Sequence, residues 1–466
     1  MRKVHLIGIC GTAMAALAAM LKHHGFEVRG SDQDIYPPMK EFLKSEGINT
    51  LAGYKAEHIS SDLDLVVIGN AVSRGNPEVE AVLECGIRYC SLPEIIRDQF
   101  LWQARPLVLA GTHGKTSTAA MVAWALVSTG CDPSFMIGGI PRNFGAGYRI
   151  GGGEIFVIEG DEYDSAFFDK TAKFLKYLPS IAVVNNVEFD HADIYKDLEE
   201  LRLAFRRFIR LVPRNGYVLL GADDEEALRL AEVALCEVET FGLHERADWR
   251  AAELRQTPHE IAFDLIYQGR KLSRVTLPLL GTFNVKNALA AVAATAKAGV
   301  DPSVTADALG RFQGVCRRLE VRGVVDGVTV YDDFAHHPSA VRASLSAVRS
   351  AVSDGRLWAL FEPRSATACR RIFQRAFADA LKLADEVIVG RVFRASVPKR
   401  ERLSESRLVA DLEMAGVRAR YLPEVSAIAD AVSEEAKYGD HVVIMSNGDF
   451  GGVHERLLER LNAARQ

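Results

Sequence analysis

Short apolar runs recur along the chain, each closed by glycine or polar residues and followed by a stretch in which apolar positions return every three or four residues. Runs at 4–9, 27–30 and 65–68 read as buried strands, with a helix over 13–24 between the first two. The alternation resumes at 107–110, after Trp102 and Pro106, continues through a long helix to Val127, and adds strands at 155–159 and 181–185. A third series follows a helix at 287–297 and the turn-rich stretch around Gly314, with strands at 328–331, 357–361, 386–389 and 441–445. Strands separated by helices predict parallel βαβ units, so the fold class is α/β. A chain of 466 residues is too long for one core and suits three domains of roughly 100–200 residues. The pauses in the pattern put them at 1–103, 104–314 and 315–466. The basic, polar segment 391–406 reads as a mobile surface loop.

Hydrophobic residues make up 48% of the chain and charged residues 25%, with a net charge of −5, which excludes a nucleic-acid binder built on basic excess. An anionic partner therefore needs a local site. The seven cysteines, Cys10, Cys85, Cys90, Cys131, Cys236, Cys316 and Cys369, are scattered and form no CxxC pair, which favours reduced thiols over a disulfide or zinc framework. Arg2 and Lys3 ahead of an apolar run look like the start of a secretory signal, but Gly8 and Gly11 interrupt the run, and a strand, turn and helix account for it. It is also shorter than the ~20 residues a membrane-spanning helix needs. The expectation is a cytoplasmic protein without a membrane partner, a monomer or weak homo-oligomer.

The sharpest chemical signal is Gly111-Thr112-His113-Gly114-Lys115-Thr116-Ser117, set between the strand at 107–110 and a helix expected to start near Thr118. In a strand, glycine turn and helix, successive backbone N–H groups stabilise phosphate oxygens. Lys115 then brings a full charge to the outer phosphates, and Thr116 places its hydroxyl on Mg²⁺. Two residues separate the glycines where the ordinary NTPase loop has four. Glu159-Gly160-Asp161-Glu162-Tyr163-Asp164 gathers carboxylates at a strand end, where they repel one another unless a cation offsets them; Glu159 is the best placed Mg²⁺ ligand. Asn185-Asn186-Val187-Glu188-Phe189-Asp190-His191 closes another strand, and His191 is a second metal ligand, a phosphate contact or a structural histidine.

At the amino terminus Gly8-Ile9-Cys10-Gly11-Thr12, with Ser31 and Asp32 about twenty residues on, looks like a dinucleotide fingerprint that lacks its last glycine. It suits a nicotinamide cofactor or, better beside a separate ATP site, a nucleotide diphosphate carried by a substrate. The loop with Asn70, Ala71 and Arg74 either adds to that edge or is an ordinary loop. Asn284 and Asn287 offer amides to the edge of an adenine. In Tyr331-Asp332-Asp333-Phe334-Ala335-His336-His337-Pro338 an aspartate could hold a ribose, and a histidine could stack on a base or approach a phosphate. Either stretch is otherwise a helix cap or turn.

In this order GTHGKTS, EGDEYD, NNVEFDHAD, GTFNVKNALAA, CRRLE and YDDFAHHP resemble the motifs of the Mur ligase family, which builds the peptide stem of bacterial peptidoglycan. The resemblance spans nearly the whole chain. It implies a Rossmann-like amino-terminal domain that holds the UDP part of the substrate with Gly8, Cys10, Gly11, Thr12, Ser31, Asp32, Asn70, Ala71 and Arg74. It further implies a central P-loop ATPase-like α/β domain and a carboxy-terminal Rossmann-like domain for the incoming amine. ATP is then expected at residues 111–117, Asn284, Asn287, Arg318 and Asp333, and Mg²⁺ at Thr116, Glu159 and His191. Lys115, His191, Arg318 and His337 carry the catalysis, His337 as the candidate base.

GICGT and DDFAHHP look like the branch that acts on UDP-N-acetylmuramate, phosphorylating its lactyl carboxylate to an acyl phosphate that an amine captures. GNAVSRGNPEVEAVL, EYDSAFFDKTAKF and MSNGDFGG look more like members that add the tripeptide L-alanyl-γ-D-glutamyl-meso-diaminopimelate than like those that add L-alanine. Arg364, Ser365, Ser446 and Asn447, at carboxy-terminal strand ends, are candidates to grip the peptide's carboxylates. Phe205 stands where many family members carry a carbamylated lysine that bridges metals, which excludes a mechanism needing that lysine. The rival classes are an NAD-dependent oxidoreductase, which leaves GTHGKTS and the acidic cluster unexplained, and a nucleotide-binding sensor, which leaves the three ligand-binding sheet edges unexplained.

Overall fold

The apolar run that opens the chain forms the strand Lys3–Ile7, buried from Val4 onward. A parallel strand covered by helices has no polar face to show, so its sequence reads as a continuous apolar run. The computed structural model describes residues 2–35, 39–190, 194–352, 355–393 and 397–463. Lys3–Ile7 lies at the centre of a parallel sheet whose order is Asn49–Ala52, Glu27–Asp32, Lys3–Ile7, Leu65–Ile68 and Tyr89–Ser91.

The second sheet has ten strands, and its parallel heart runs Glu237–Gly242, Tyr217–Gly221, Ile181–Val184, Arg105–Ala110, Ile155–Gly160 and Ser134–Met136. Trp249–Gln256 joins one edge parallel to Glu237–Gly242, and Ile261–Tyr267 and Arg270–Leu277 continue from it in antiparallel pairing. Helices Lys115–Ser128 and Thr282–Lys297 pack together over one face, joined by the alanines and leucines of both. The third sheet orders Glu320–Val325, Val328–Asp333, His441–Met445, Leu357–Phe361, Glu386–Val389 and Arg418–Tyr421, and only its first strand is antiparallel.

Three expectations need correction. The helix after the glycine turn starts at Lys115 rather than near Thr118, and the one expected at 287–297 starts at Thr282. Both begin earlier because glycine with positive φ, Gly114 at +84° and Gly281 at +90°, turns the chain immediately ahead of them. The described part of 391–406 is anchored rather than a free surface loop: Leu403 is buried, its N–H donates to the Cys369 carbonyl at 2.9 Å, and a helix starts at Glu405.

Phe205 lies on the helix Leu198–Ile209, fully buried, its ring centroid 5.2 Å from that of Phe174. The position is thus part of the core and offers no ligand to a metal.

Beneath the amino-terminal glycine turn lies a buried polar network. Glu78 Oε2 accepts from Ser31 Oγ at 2.5 Å and lies 3.1 Å from His5 Nε2, while Oε1 lies 2.6 Å from His58 Nδ1. Burial alone would raise the Glu78 pKa, but the hydrogen bonds from His5, Ser31 and His58 overcome it and hold the carboxyl below its ordinary range. A carboxyl with a lowered folded-state pKa stabilises the fold fully above its unfolded value of about 4.3, and the contribution disappears as pH falls through the folded value. Glu78→Ala is therefore expected to cost about 3 kcal/mol at pH 7, because it strands buried donors. Urea unfolding at pH 7 and at progressively lower pH checks this: the deficit should shrink on acidification, and a constant deficit would assign it to packing.

Candidate active site

Gly111 and Gly114, at φ +123° and +84°, let the chain leave the strand Arg105–Ala110 and enter the helix Lys115–Ser128 within a few residues. That places Lys115, Thr116 and Ser117 in the first helical turn, where N–H groups lack intrahelical acceptors and favour anions. The loop is braced from behind by the segment after Ile181–Val184. Thr112 N–H donates to the Asn186 carbonyl at 3.0 Å, and His113 N–H to Asn186 Oδ1 at 2.8 Å. Asn287 closes the other side, its Oδ1 accepting from Thr118 Oγ1 at 3.2 Å. A methyl group on Gly114 would stand 2.5 Å from Asn287 Oδ1 and 2.7 Å from Asn185 Nδ2. Gly114→Ala is accordingly expected to lower kcat/KM for ATP roughly a hundredfold, since both the left-handed conformation and the clash cost free energy. Initial rates over an ATP series measure it; an effect under threefold would mean the loop does not hold phosphate.

The Lys115 ammonium is mostly, though not fully, buried and bonds Glu162 Oε2 at 2.8 Å and the Gly111 carbonyl at 2.7 Å. Burial works against its charge, yet Glu162 and Asp161 raise its pKa, so it remains an ammonium. Beside it Thr116 Oγ1 donates to Glu159 Oε2 at 3.2 Å, and Gly138 N–H donates to Glu159 Oε1 at 2.7 Å. Burial and the neighbouring Asp161 push the Glu159 carboxyl up to about 7. Adjacent hydroxyl and carboxylate oxygens, with a carboxylate whose buried charge wants compensation, fit a hard divalent cation such as Mg²⁺. His191, the third expected ligand, lies outside the described residues.

Arg318 comes from the stretch leading into the third sheet. Its Nη2 donates to Thr116 Oγ1 at 3.1 Å, and its guanidinium lies 4.8 Å from the centroid of the Phe334 ring. Burial lowers its pKa, while Asp333 and Glu159 oppose that effect. Asp333 accepts from Ala335 N–H at 2.8 Å and Ser344 Oγ at 2.9 Å, and burial pushes its carboxyl up to about 6.

The adjacent histidines differ. Burial lowers the His336 pKa to about 4, so its ring is neutral at pH 7, and its Nδ1 lies 2.8 Å from the Phe334 carbonyl. His337 caps the helix Pro338–Ala351 by accepting from Ser339 N–H at 3.4 Å. Its Nδ1 lies 3.6 Å from Glu188 Oε2, which also accepts from Ser339 Oγ at 2.6 Å and lies 3.4 Å from His113 Nε2. Burial would raise the Glu188 pKa, but His113, Ser339 and His337 hold it down at about 2. Donor atoms of His113, Glu188 and His337 fall within 4.8 Å of one another, close enough to share a metal ion. The position of His337 thus suits binding two sheets together, with Thr367 Oγ1 donating to Asp190 Oδ1 at 2.5 Å as a second tie.

Asn284 and Asn287 are buried, with Asn284 Nδ2 donating to the Leu280 carbonyl at 2.8 Å and Asn287 Nδ2 to Asn284 Oδ1 at 3.2 Å. Just beyond them a cleft of about 420 Å³, lined by Gln256, Gly281, Thr282, Pro338, Ser339 and Arg342 among others, opens between the second and third sheets. In the first unit Gly8 and Ile9 N–H groups donate to the Ser31 carbonyl at 2.8 and 3.0 Å, and Cys10 N–H donates to Asp32 Oδ2 at 2.8 Å. Gly11 directly precedes the helix Thr12–His23. Asn70 and Ala71 follow the strand Leu65–Ile68, whereas the Arg74 guanidinium is forked onto Glu80 at 3.0 and 2.9 Å.

Glu162, Glu188 and Ser339 were not singled out in the sequence. Glu162 and Glu188 sit inside quoted motifs, so proximity to a motif was their only signal; Ser339 follows one directly.

Family models match this chain in three successive stretches: "Mur ligase family, catalytic domain" at residues 3–100, "Mur ligase middle domain" at 109–295, and "Mur ligase, glutamate ligase domain" at 317–448. The chain is 42% identical over 461 residues to the UDP-N-acetylmuramate–L-alanyl-γ-D-glutamyl-meso-2,6-diaminoheptandioate ligase of Escherichia coli K12, covering 98% of both chains. It is 34% identical to the UDP-N-acetylmuramate–L-alanine ligase of Acetivibrio thermocellus, over 98% of this chain and 96% of that one. Its structure is similar to the crystal structure of a murein peptide ligase from Psychrobacter arcticus 273-4, with a TM-score of 0.74, 34% identity and 99% of each chain covered.

Proposed function

The chain belongs to the Mur ligase family, and from that premise we propose that it joins the lactyl carboxylate of UDP-N-acetylmuramate to the free amine of L-alanyl-γ-D-glutamyl-meso-diaminopimelate, converting ATP to ADP and phosphate. The observation that carries this choice is the full-length identity of 42% to a ligase named for that tripeptide, against 34% to one named for L-alanine. Family membership also sets aside the oxidoreductase and sensor readings.

In this reading the glycine turn at Gly8 to Thr12, held by Ser31 and Asp32, faces the UDP portion, with Asn70, Ala71 and Arg74 at the same edge. Lys115 lets go of Glu162 to meet the outer phosphates, and Arg318 approaches them from across the cleft. Thr116 and Glu159 would hold Mg²⁺, which would supply positive charge beside the transferring phosphoryl group. The work of these groups is charge stabilisation and alignment as the carboxylate oxygen attacks phosphorus and ADP departs. The peptide amine then attacks the acyl carbon, forming the C–N bond as the C–O bond to phosphate breaks and the amine gives up a proton. Water has to be kept from the acyl phosphate, and the Arg318–Thr116 and Glu188–Ser339 contacts favour a closed cleft. Asn284, Asn287 and Asp333 shape the nucleotide cleft from within the protein, and Arg364, Ser446 and Asn447 face the peptide. Domain limits after residues 103 and 314 and a cytoplasmic location belong to the same proposal.

Phosphate release from ATP with UDP-N-acetylmuramate and Mg²⁺, adding L-alanine or the tripeptide in turn, tests it. Turnover with the tripeptide is expected; turnover with L-alanine alone would overturn the tripeptide assignment.

A further inference from the structure

Side chains from three segments converge where the glycine turn of the second sheet meets the third: His113 from between Gly111 and Gly114, Glu188 from the segment after Ile181–Val184, and His337 from the cap of the helix Pro338–Ala351. His113 Nε2 lies 3.4 Å and His337 Nδ1 3.6 Å from the same Glu188 Oε2. Both gaps are longer than an ordinary hydrogen bond of about 2.7–3.2 Å. They come close to the roughly 3.3 Å that separates neighbouring ligands around a tetrahedral Zn²⁺ with bonds of about 2.0–2.1 Å. The donor atoms of the two histidines stand within 4.8 Å of one another, and turning the His113 ring, 24% exposed, closes that gap. His113 Nε2 itself is shut off from solvent and has no hydrogen-bond partner among the described residues. The frame around the three is fixed. Glu188 N–H donates to Thr112 Oγ1 at 2.9 Å, Ser339 Oγ donates to Glu188 Oε2 at 2.6 Å, and the Phe373 ring lies edge-on to His337 with centroids 5.4 Å apart.

We propose that His113, Glu188 and His337 form a site for a borderline-soft divalent cation such as Zn²⁺, separate from the oxygen-lined Mg²⁺ position at Thr116 and Glu159, and that its occupancy slows turnover. Two imidazole nitrogens and a carboxylate oxygen are a Zn²⁺ donor set, whereas Mg²⁺ prefers oxygen ligands and keeps its waters. Glu188 Oε2 has a lone pair for the ion beside the one that Ser339 Oγ engages, so that outer contact holds the carboxylate in place. A fourth coordination position stays open for water, and Glu188, 36% exposed, gives the ion its way in. His113 belongs to the glycine turn that faces the phosphates, and His337 to the helix that follows the strand Val328–Asp333 of the third sheet. One ion therefore ties the turn to the opposite wall of the cleft. ATP has to enter and ADP to leave through that cleft, and each passage then requires a metal–ligand bond to break. The site is independent of which acceptor is ligated.

The test adds Zn²⁺ to the full chain in a large excess of Mg²⁺, which fills oxygen sites and leaves the imidazoles. Affinity is read by competition with a chromophoric chelator, and phosphate release from ATP is followed in the ligation reaction. Wild type is expected to bind a single Zn²⁺ and to lose rate as the ion binds, and added chelator should restore the rate. His337→Asn, which keeps a side chain able to cap a helix, and His113→Gln should each weaken Zn²⁺ binding roughly a hundredfold, the upper end of what even an outer-shell partner costs a metal site. In both, the rate relative to the same variant without Zn²⁺ should be insensitive to concentrations that inhibit wild type. Glu159→Gln should bind Zn²⁺ as wild type does. Circular dichroism and thermal melting establish that each variant is folded before its binding is read. Wild type that binds no Zn²⁺ in excess Mg²⁺, or binds it without loss of rate, would overturn the proposal. So would unchanged affinity in either histidine variant, or binding that is lost only in Glu159→Gln.

Discussion

Lys115→Ala is expected to lower kcat by on the order of a thousandfold or more, because it removes the one full charge that the phosphate loop itself brings to the outer phosphates. Single-turnover phosphate release with saturating substrates measures the effect on chemistry. The substitution has a second consequence. Lys115 is the ammonium beside Glu162, whose side chain is 1% exposed, so alanine leaves a buried carboxylate without that charge. Some loss of stability is therefore expected as well, about 2–3 kcal/mol. The double variant Lys115→Ala, Glu162→Gln separates the two: it should regain thermal stability and stay inactive. A ligation rate within tenfold of wild type in either variant would remove Lys115 from the mechanism.

Arg318→Ala is expected to lower kcat several hundredfold, somewhat less than loss of Lys115, since arginines that reach a transferring phosphoryl group from another element commonly supply effects of that size or larger. The argument is geometric. Arg318 belongs to the stretch that leads into the third sheet, yet its Nη2 bonds Thr116 Oγ1 in the first turn of the phosphate-loop helix at 3.1 Å. It can thus stabilise charge only when the two units are together, so its loss should also make ATP binding less able to close the cleft. Arg318→Lys keeps a charge but not the fork, and should recover a minor part of the rate. Small-angle scattering with and without ATP offers an independent readout: the variant should compact less than wild type. Full activity in Arg318→Ala, with normal compaction, would show that closure is driven elsewhere.

The parallel strands were legible because burial on both faces demands unbroken apolar runs, as in Leu107 to Ala110 and His441 to Met445. The extension through Trp249–Gln256, Ile261–Tyr267 and Arg270–Leu277 was not. Its first and last strands carry exposed charged residues such as Arg255, Arg270 and Lys271, so no apolar run marks them. The same holds for Glu320–Val325, an edge strand whose valines Val321 and Val324 are exposed. The candidate site was legible where chemistry is concentrated in consecutive residues, as at Gly111 to Ser117 and Glu159 to Asp164. It was opaque where partners are distant: Lys115 and Glu162 are 47 residues apart, Glu188 and Ser339 are 151 apart, and Thr116 and Arg318 are 202 apart.

The residues by themselves determined that this is an α/β chain with a glycine-rich strand-to-helix turn carrying Lys115 and an acidic strand end; that Phe205 stands in place of a bridging lysine came only from the resemblance to the family. Strand periodicity, glycine at positive φ and the charge of neighbouring residues are local properties, written within a few positions of where they act. Tertiary structure alone decided that His337 caps a helix and faces Glu188, that the amides of Asn284 and Asn287 are turned into the scaffold, and that Arg364 pairs with Glu362 and Asp449 and stacks on Phe393. Each of these depends on which sheet edges meet, and that is set by the burial of whole faces of the three units, a sum over many contacts that no single stretch of sequence contains.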